Sequence, residues 1–236
     1  MTTNQTAGKT ASNKTDIKKL TVLAMFIALG YICLFLFRFR AFDFLTLDFK
    51  DVFITMAGFV YGPVAALSVA FVEALLELIT VSSTGFWGAL MNFAGSAMFA
   101  CTASLIYKYN KNFKGAVLGL VASVFSMTAV MLIMNLLVTP IYAHTDMKTV
   151  AGMIPGILLP FNLVKGILNA AFTFILYKPM TQALRSIRVI PKSENSFVIN
   201  KRSAISFAVA AAVIIGSVVV LLTVFHGQFE VVKSAH

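Results

Sequence analysis

Apolar residues in this chain come in long runs, without the regular polar interruptions that mark a half-buried strand or a surface helix. The first run, residues 20–37, would be about 27 Å long as a helix, close to a hydrocarbon core of about 30 Å. Further runs cover 64–81, 86–107, 116–138, 154–177 and 204–225. Residues 52–60 are apolar too, but as a helix reach only about 14 Å. This second helix must therefore borrow polar neighbours or lie partly inside protein. Tyr61-Gly62-Pro63 marks a tight turn, and Ser82-Ser83-Thr84-Gly85 breaks a helix. The pattern predicts an all-α integral membrane protein: a six-helix bundle followed by a seventh, C-terminal transmembrane helix.

Between the first two spans, residues 38–51 alternate aromatic with charged side chains. Such a stretch neither spans lipid nor behaves as an ordinary solvated loop, so an amphipathic lid or re-entrant loop is expected there. Residues 144–149 read as a polar connection. The organisation that follows is a disordered cytoplasmic tail over 1–19, the bundle over 20–185, a basic linker over 186–203, and the additional helix with a short outer tail over 204–236.

Composition sharpens this picture. Charged residues make up only 12% of the chain and mean hydropathy is +0.88, against about 25% charged in soluble domains, so lipid is the main solvent. The net charge of +10 would suit nucleic acid, but no basic stripe interleaved with aromatics appears, and the cations sit in the tail and loops. With the N-terminus inside, 13 of the 19 Lys and Arg fall on the cytoplasmic side, five fall outside and Lys165 lies within helix 6. This asymmetry obeys the positive-inside rule and places the C-terminus outside a cell membrane.

Catalytic signatures are missing. Cys33 and Cys101 stand in apolar runs with no second cysteine or histidine at a metal-ligand spacing. Gly8-Lys9-Thr10 looks like the end of a phosphate-binding loop, but Thr3 stands where the first glycine belongs. No zincin or nucleophile-elbow motif occurs. The reading is a non-enzyme with neither metal nor cofactor.

Candidate chemistry lies in the ionisable residues inside spans, each costing about 2.5–3.5 kcal/mol at mid-helix unless paired or hydrated. Glu73 and Glu77 are one turn apart on helix 3. Asn162, Lys165 and Asn169 line one face of helix 6, and Asn92 and Asn135 add buried amides from helices 4 and 5. One reading pairs Lys165 with a glutamate and uses the asparagines to link helices. The other makes the Asn162/Lys165/Asn169 face a site for a polar heterocycle, with apolar walls and a few converging polar groups. Phe42, Phe44 and Phe49 of the lid would supply stacking or anchor in lipid. Ala24 and Ala28, with Gly30 just beyond, permit close approach of another helix.

Taken in order, these features resemble the S components of energy-coupling factor transporters, and among them the riboflavin-binding members. The likeness covers roughly 19–185. It rests on Ala24-x-x-x-Ala28, on the stretch from Phe44 through Leu45 and Thr46 to Asp51, and on Gly58-Phe59-Val60-Tyr61-Gly62-Pro63. Residues 88–93 and Leu159-Pro160-Phe161-Asn162-Leu163-Val164-Lys165 complete it. The resemblance implies a vitamin-capturing bundle that docks through Ala24 and Ala28 onto a transmembrane coupling protein carrying two cytoplasmic ATPases. It implies that the first loop closes over the ligand and that Asn135, Asn162 and Lys165 meet the polar edge of a flavin. The substrate-binding set is then Asn135, Asn162, Lys165, Asn169, Phe44, Leu45, Thr46 and Asn92. The chain departs from the family pattern at Asp48-Phe49-Lys50-Asp51-Val52, where a serine and a proline are usual. It departs again at Glu73 to Glu77, where a lysine–asparagine pair is common, and in its seventh span. The ligand expected from the resemblance is riboflavin, with a flavin nucleotide or another water-soluble vitamin as variants. Two competing functions are an ion-coupled secondary carrier titrating Glu73 or Glu77, and a scaffold with no ligand. The first lacks the internal repeat carriers commonly show; the second leaves the polar face of helix 6 unexplained.

Overall fold

The computed structural model describes residues 3–42, 45–81, 84–187, 189, 201–224 and 230–231. Helix α1, Thr3–Leu36, is followed by strands β1, Phe39–Phe42, and β2, Leu45–Leu47. Helices α2, Lys50–Tyr61, α3, Pro63–Thr80, α4, Gly85–Tyr109, and α5, Phe113–Ala143, come next. A short α6, Met147–Met153, runs through a π-helical turn, Ile154–Leu158, into α7, Leu159–Ser186. Helix α8, Lys201–Val224, and a two-residue strand β3, Glu230–Val231, complete the described chain.

Five of these helical stretches are long and apolar enough to cross a membrane: Ile17–Leu36, Pro63–Thr80, Gly85–Tyr109, Phe113–Ala143 and Met147–Ser186. Helix α2 joins them as the short sixth member of the bundle, most of its residues buried, as its length required. Helix α8, apolar over Ala208–Thr223, packs outside them against α7.

Element boundaries follow local chemistry. Gly62, at φ +92°, makes the corner between α2 and α3 in a conformation that L side chains rarely adopt, and Pro63 opens α3 where its missing N–H costs nothing. Asn112 caps α5 by accepting from the Gly115 N–H at 2.7 Å. Pro160 has no N–H to return to the preceding turn, and the helix there widens so that the Leu159 N–H reaches the Ile154 carbonyl.

Three expectations change. Residues 3–19 were expected as a disordered tail, yet their backbone continues α1 as helix; no proline precedes Pro63 to stop it. The lid contains a hairpin, because its alternation has the two-residue period of a strand: β1 pairs antiparallel with β2, Phe39 opposite Leu47, through a bulge between Arg40 and Phe42. The polar connection shrinks to 144–146, since α6 begins at Met147.

Strand β3 pairs with the free edge of β1, Phe39 opposite Val231, giving the sheet order β2-β1-β3. The segment after α8 therefore reaches the same end of the bundle as the lid. Leu45 and Leu47 of β2 are each 5% exposed and pack with Val150, Leu158, Phe161 and Leu168 of the α6–α7 stretch and with Leu221 of α8. Phe49 meets Phe172 edge-on at 4.8 Å between centroids. At about 1.5–3 kcal/mol per fully buried leucine, an upper estimate, these contacts hold the lid down.

Candidate functional site: a polar cavity beneath the lid

A cavity opens where the lid meets the ends of α4, α5 and α7. Leu45 and Thr46 line it from β2, Gly88, Met91 and Asn92 from α4, and Met131, Asn135 and Tyr142 from α5. Phe161, Asn162 and Lys165 come from α7, while Arg38 and Thr84 close its rim. Its free volume is about 40 Å³, enough for two or three waters when a single water needs about 10–15 Å³. A larger occupant requires the lid or the long side chains of Arg38, Met91, Met131 and Lys165 to swing aside.

Lys165 sets the electrostatics of one wall. Its ammonium donates to Asp48 Oδ2 at 2.8 Å and to the Thr46 carbonyl at 3.3 Å, joining α7 to the lid. Among the described residues, two of its three N–H groups are thus used. Burial raises the pKa of the Asp48 carboxyl, but the nearby Lys165 and Lys50 ammonium groups outweigh it and hold the group at about 2. Asp48 is therefore an anion throughout the physiological range.

A second charged group stands behind α4. Glu77, buried on α3, accepts from Lys50, from Asn92 Nδ2 at 2.7 Å and pairs with Arg38 at 3.5 Å. Arg38 also donates to the Val81 carbonyl at 2.7 Å. Breaking one partner out of such a buried group typically costs about 3–5 kcal/mol. Glu73 is buried against α1, where a Cβ on Gly30 would fall 2.1 Å from its Oε1. Its carboxylate oxygens make no hydrogen bond among the described residues.

The amides are placed differently from one another. Asn162 donates one N–H to its own helix at the Leu158 carbonyl, 2.8 Å away, and Asn135 does the same to Met131 at 2.7 Å. The Thr139 hydroxyl donates to Asn135 Oδ1 at 3.0 Å. Each amide keeps groups for the cavity, since an asparagine has two donors and one acceptor. Asn169 stands one turn behind Lys165. It bonds the Asp48 and Lys165 carbonyls, each at 3.2 Å, and is not part of the cavity wall.

Of the sequence-derived residues, Asn92, Asn135, Asn162, Lys165, Leu45 and Thr46 meet at this cavity, and Phe44 lies outside the described residues. Lys165 pairs with Asp48 rather than with a glutamate. Arg38 and Lys50, read from sequence as loop cations, are buried ion-pair partners of Glu77. Arg38, Tyr142, Met91, Met131 and Phe161 are cavity residues that sequence reasoning missed. For Arg38 the signal was available: two buried glutamates on α3 demanded cations from somewhere. Ala24 and Ala28 are both exposed on α1.

Comparison with known proteins gives this geometry a context. The family described as "ECF transporter, substrate-specific component" matches residues 18–177. The riboflavin transporter RibU of Staphylococcus aureus is 32% identical over 188 residues, covering 76% of this chain and 99% of that protein. The riboflavin transporter FmnP of Bacillus subtilis is 30% identical, covering 73% and 98%. A solved structure, the S component of a bacterial ECF transporter, superposes with a TM-score of 0.62 at 32% identity over 72% of this chain and 99% of that one. The family match ends before α8. With the polar cavity, the apolar helices and these relatives together, the chain belongs to the substrate-specific components of ECF transporters, a multi-pass membrane subunit of a bacterial transporter and not an enzyme.

Proposed function

We propose that this chain captures riboflavin, or a closely related flavin, in the cavity beneath the lid and delivers it for ATP-driven uptake by an energising module. The observation that carries the reading is a convergence. Asn92, Asn135, Asn162 and Lys165, from three helices, meet Leu45 and Thr46 of the lid at one cavity with apolar residues between them. An isoalloxazine ring asks for that combination, having carbonyl and imide groups along one edge and a dimethylbenzene at the other. Relatives named as riboflavin transporters support the choice of ligand.

In this reading Asn135, Asn162 and Lys165 meet the polar edge, Asn92 and Thr46 complete the wall, and Asn169 acts by positioning Lys165 and the lid backbone. Phe44, which follows β1 in sequence, is the aromatic residue assigned to cover the ring. The exposed Ala24 and Ala28 dock α1 on a transmembrane coupling protein that carries two cytoplasmic ATPases. The N-terminus and the lysine-rich loops face the cytoplasm, and the lid with the C-terminus faces outward. The 20–185 bundle holds the site, with 186–203 as the linker to the additional helix.

Titrating the purified, ligand-stripped protein with riboflavin and with flavin mononucleotide, following quenching of flavin fluorescence and of Trp87, tests this. Saturable one-to-one binding below micromolar is expected for at least one flavin. Absence of binding to both, with the protein still folded, would overturn it.

A further inference from the structure

Away from the cavity, α5, α7 and α8 enclose a groove of about 590 Å³. Phe113 and Phe125 of α5, Leu163 and Phe174 of α7, and Val209 and Val213 of α8 define its walls, and every lining residue is Ala, Val, Leu, Ile or Phe. The groove is open at the side: Phe113 is 41% exposed, Phe125 65% and Val209 57%. From Phe113 to Phe125 it runs about 18 Å along α5, close to the roughly 15 Å of hydrocarbon in one leaflet.

Its Phe113 end is cationic. Lys178 of α7 places its Nζ 5.7 Å from the Phe113 ring centroid, and Lys114 is the next residue on α5. The loop 108–115 and the α7 end 178–187 hold Lys108, Lys111, Lys114, Lys178 and Arg185 with no Asp or Glu. A groove of this depth and composition is filled by hydrocarbon, because water gains nothing from its walls. An acyl chain carrying an anionic headgroup matches both parts of this surface, the apolar slot and its cationic end.

We infer that the α5–α7–α8 groove binds an anionic phospholipid from the leaflet on the lysine-rich side, with an acyl chain along the groove and the phosphate at Lys114 and Lys178. Basic residues at the mouth of an apolar crevice between helices are the chemistry that recognises such headgroups. One wall is α8, which lies beyond the matched family region, so the site belongs to this extended chain and not to the bundle alone.

The test is native mass spectrometry of the full-length protein, delipidated and offered equal amounts of palmitoyl-oleoyl phosphatidylglycerol and phosphatidylcholine. At least fivefold preferential retention of phosphatidylglycerol is expected. Replacing both Lys114→Gln and Lys178→Gln should remove the preference while leaving some lipid bound, and Ala170→Trp, which fills the groove, should reduce both lipids. Excess glycerol 3-phosphate should leave the lipid in place, because the acyl chain supplies much of the binding. Equal retention of the two lipids, a preference that survives the double lysine change, or displacement by glycerol 3-phosphate would each overturn the proposal. Should Ala170→Trp fail to fold, the lysine variants alone decide.

Discussion

Lys165, near the start of α7, holds Asp48 of the lid at 2.8 Å, across 117 positions of sequence. The pair is a latch: it ties the covering segment to the cavity wall and aims the ammonium group at the space between. Removing one partner leaves the other buried and uncompensated. Lys165→Met or Asp48→Leu alone should each lower stability by about 3–5 kcal/mol, whereas the double change should recover much of the loss. Thermal unfolding in detergent of the two single variants and the double would reveal the coupling; additive losses would deny it.

Asn162→Ala and Asn135→Ala remove amide groups at the cavity without unpairing a charge. Each should weaken riboflavin binding by about 1–3 kcal/mol, roughly fivefold to 150-fold. Melting temperature should move little, since the bonds these amides make are local, to the Leu158 and Met131 carbonyls and, for Asn135, from the Thr139 hydroxyl one turn on. Fluorescence titration gives the affinity, and unchanged affinity in both variants would remove these residues from the site.

Asp48 dictates how the latch responds to acid. Its carboxyl is held near 2 in the folded protein, against about 3.9 in an unfolded chain. A lowered carboxyl pKa stabilises the fold above the unfolded value, and that stability drains away as pH falls from about 4 towards 2. Melting temperature in wild type should therefore be insensitive to this group between pH 5 and 8 and drop below pH 4. The Asp48→Leu, Lys165→Met double variant should show a shallower acid slope over the same range.

Enlarging the exposed face of α1 separates capture from delivery. Ala24→Trp or Ala28→Trp should leave flavin affinity within twofold of wild type, because neither residue approaches the cavity. ATP-dependent uptake in vesicles containing the complete transporter should be lost. Normal uptake with either tryptophan would place the docking face elsewhere.

The parts of this molecule readable in sequence were those whose signal is local. Apolar runs of bilayer length became α3, α4 and α5 to within about five residues at each end, while α1 begins well before residue 20 and the α6–α7 rod, Met147–Ser186, outruns its 154–177 signal at both ends. Asn162, Lys165, Asn135 and Asn92 stood out because polar groups in hydrocarbon require a reason, and all four line the cavity. What stayed hidden was pairing between distant positions. Arg38 and Lys50 read as charges of an amphipathic lid on the outer side, with nothing nearby in sequence to name Glu77, more than twenty residues on, as the group that holds both. The hairpin at 39–47 showed its two-residue alternation, but four- and three-residue strands are too short for that period to outweigh a helical or irregular lid. Asn169 shares a helical face with Lys165, yet one turn of depth directs it to the lid backbone instead of the cavity.

The pairing of β3 with β1 also bears on how the molecule is made. Phe39 is made before every bundle helix but α1, and its partner Val231 only after α8, so the three-stranded sheet cannot form until the chain has grown past α8. Contacts between such distant positions carry a loop-closure penalty and form late. The bundle and its cavity can be assembled with the hairpin alone in place, and the third strand arrives only after α8 has been made. The third strand of the lid is thus added after the bundle it covers, and a chain interrupted before α8 would present the same cavity under a lid with a bare edge.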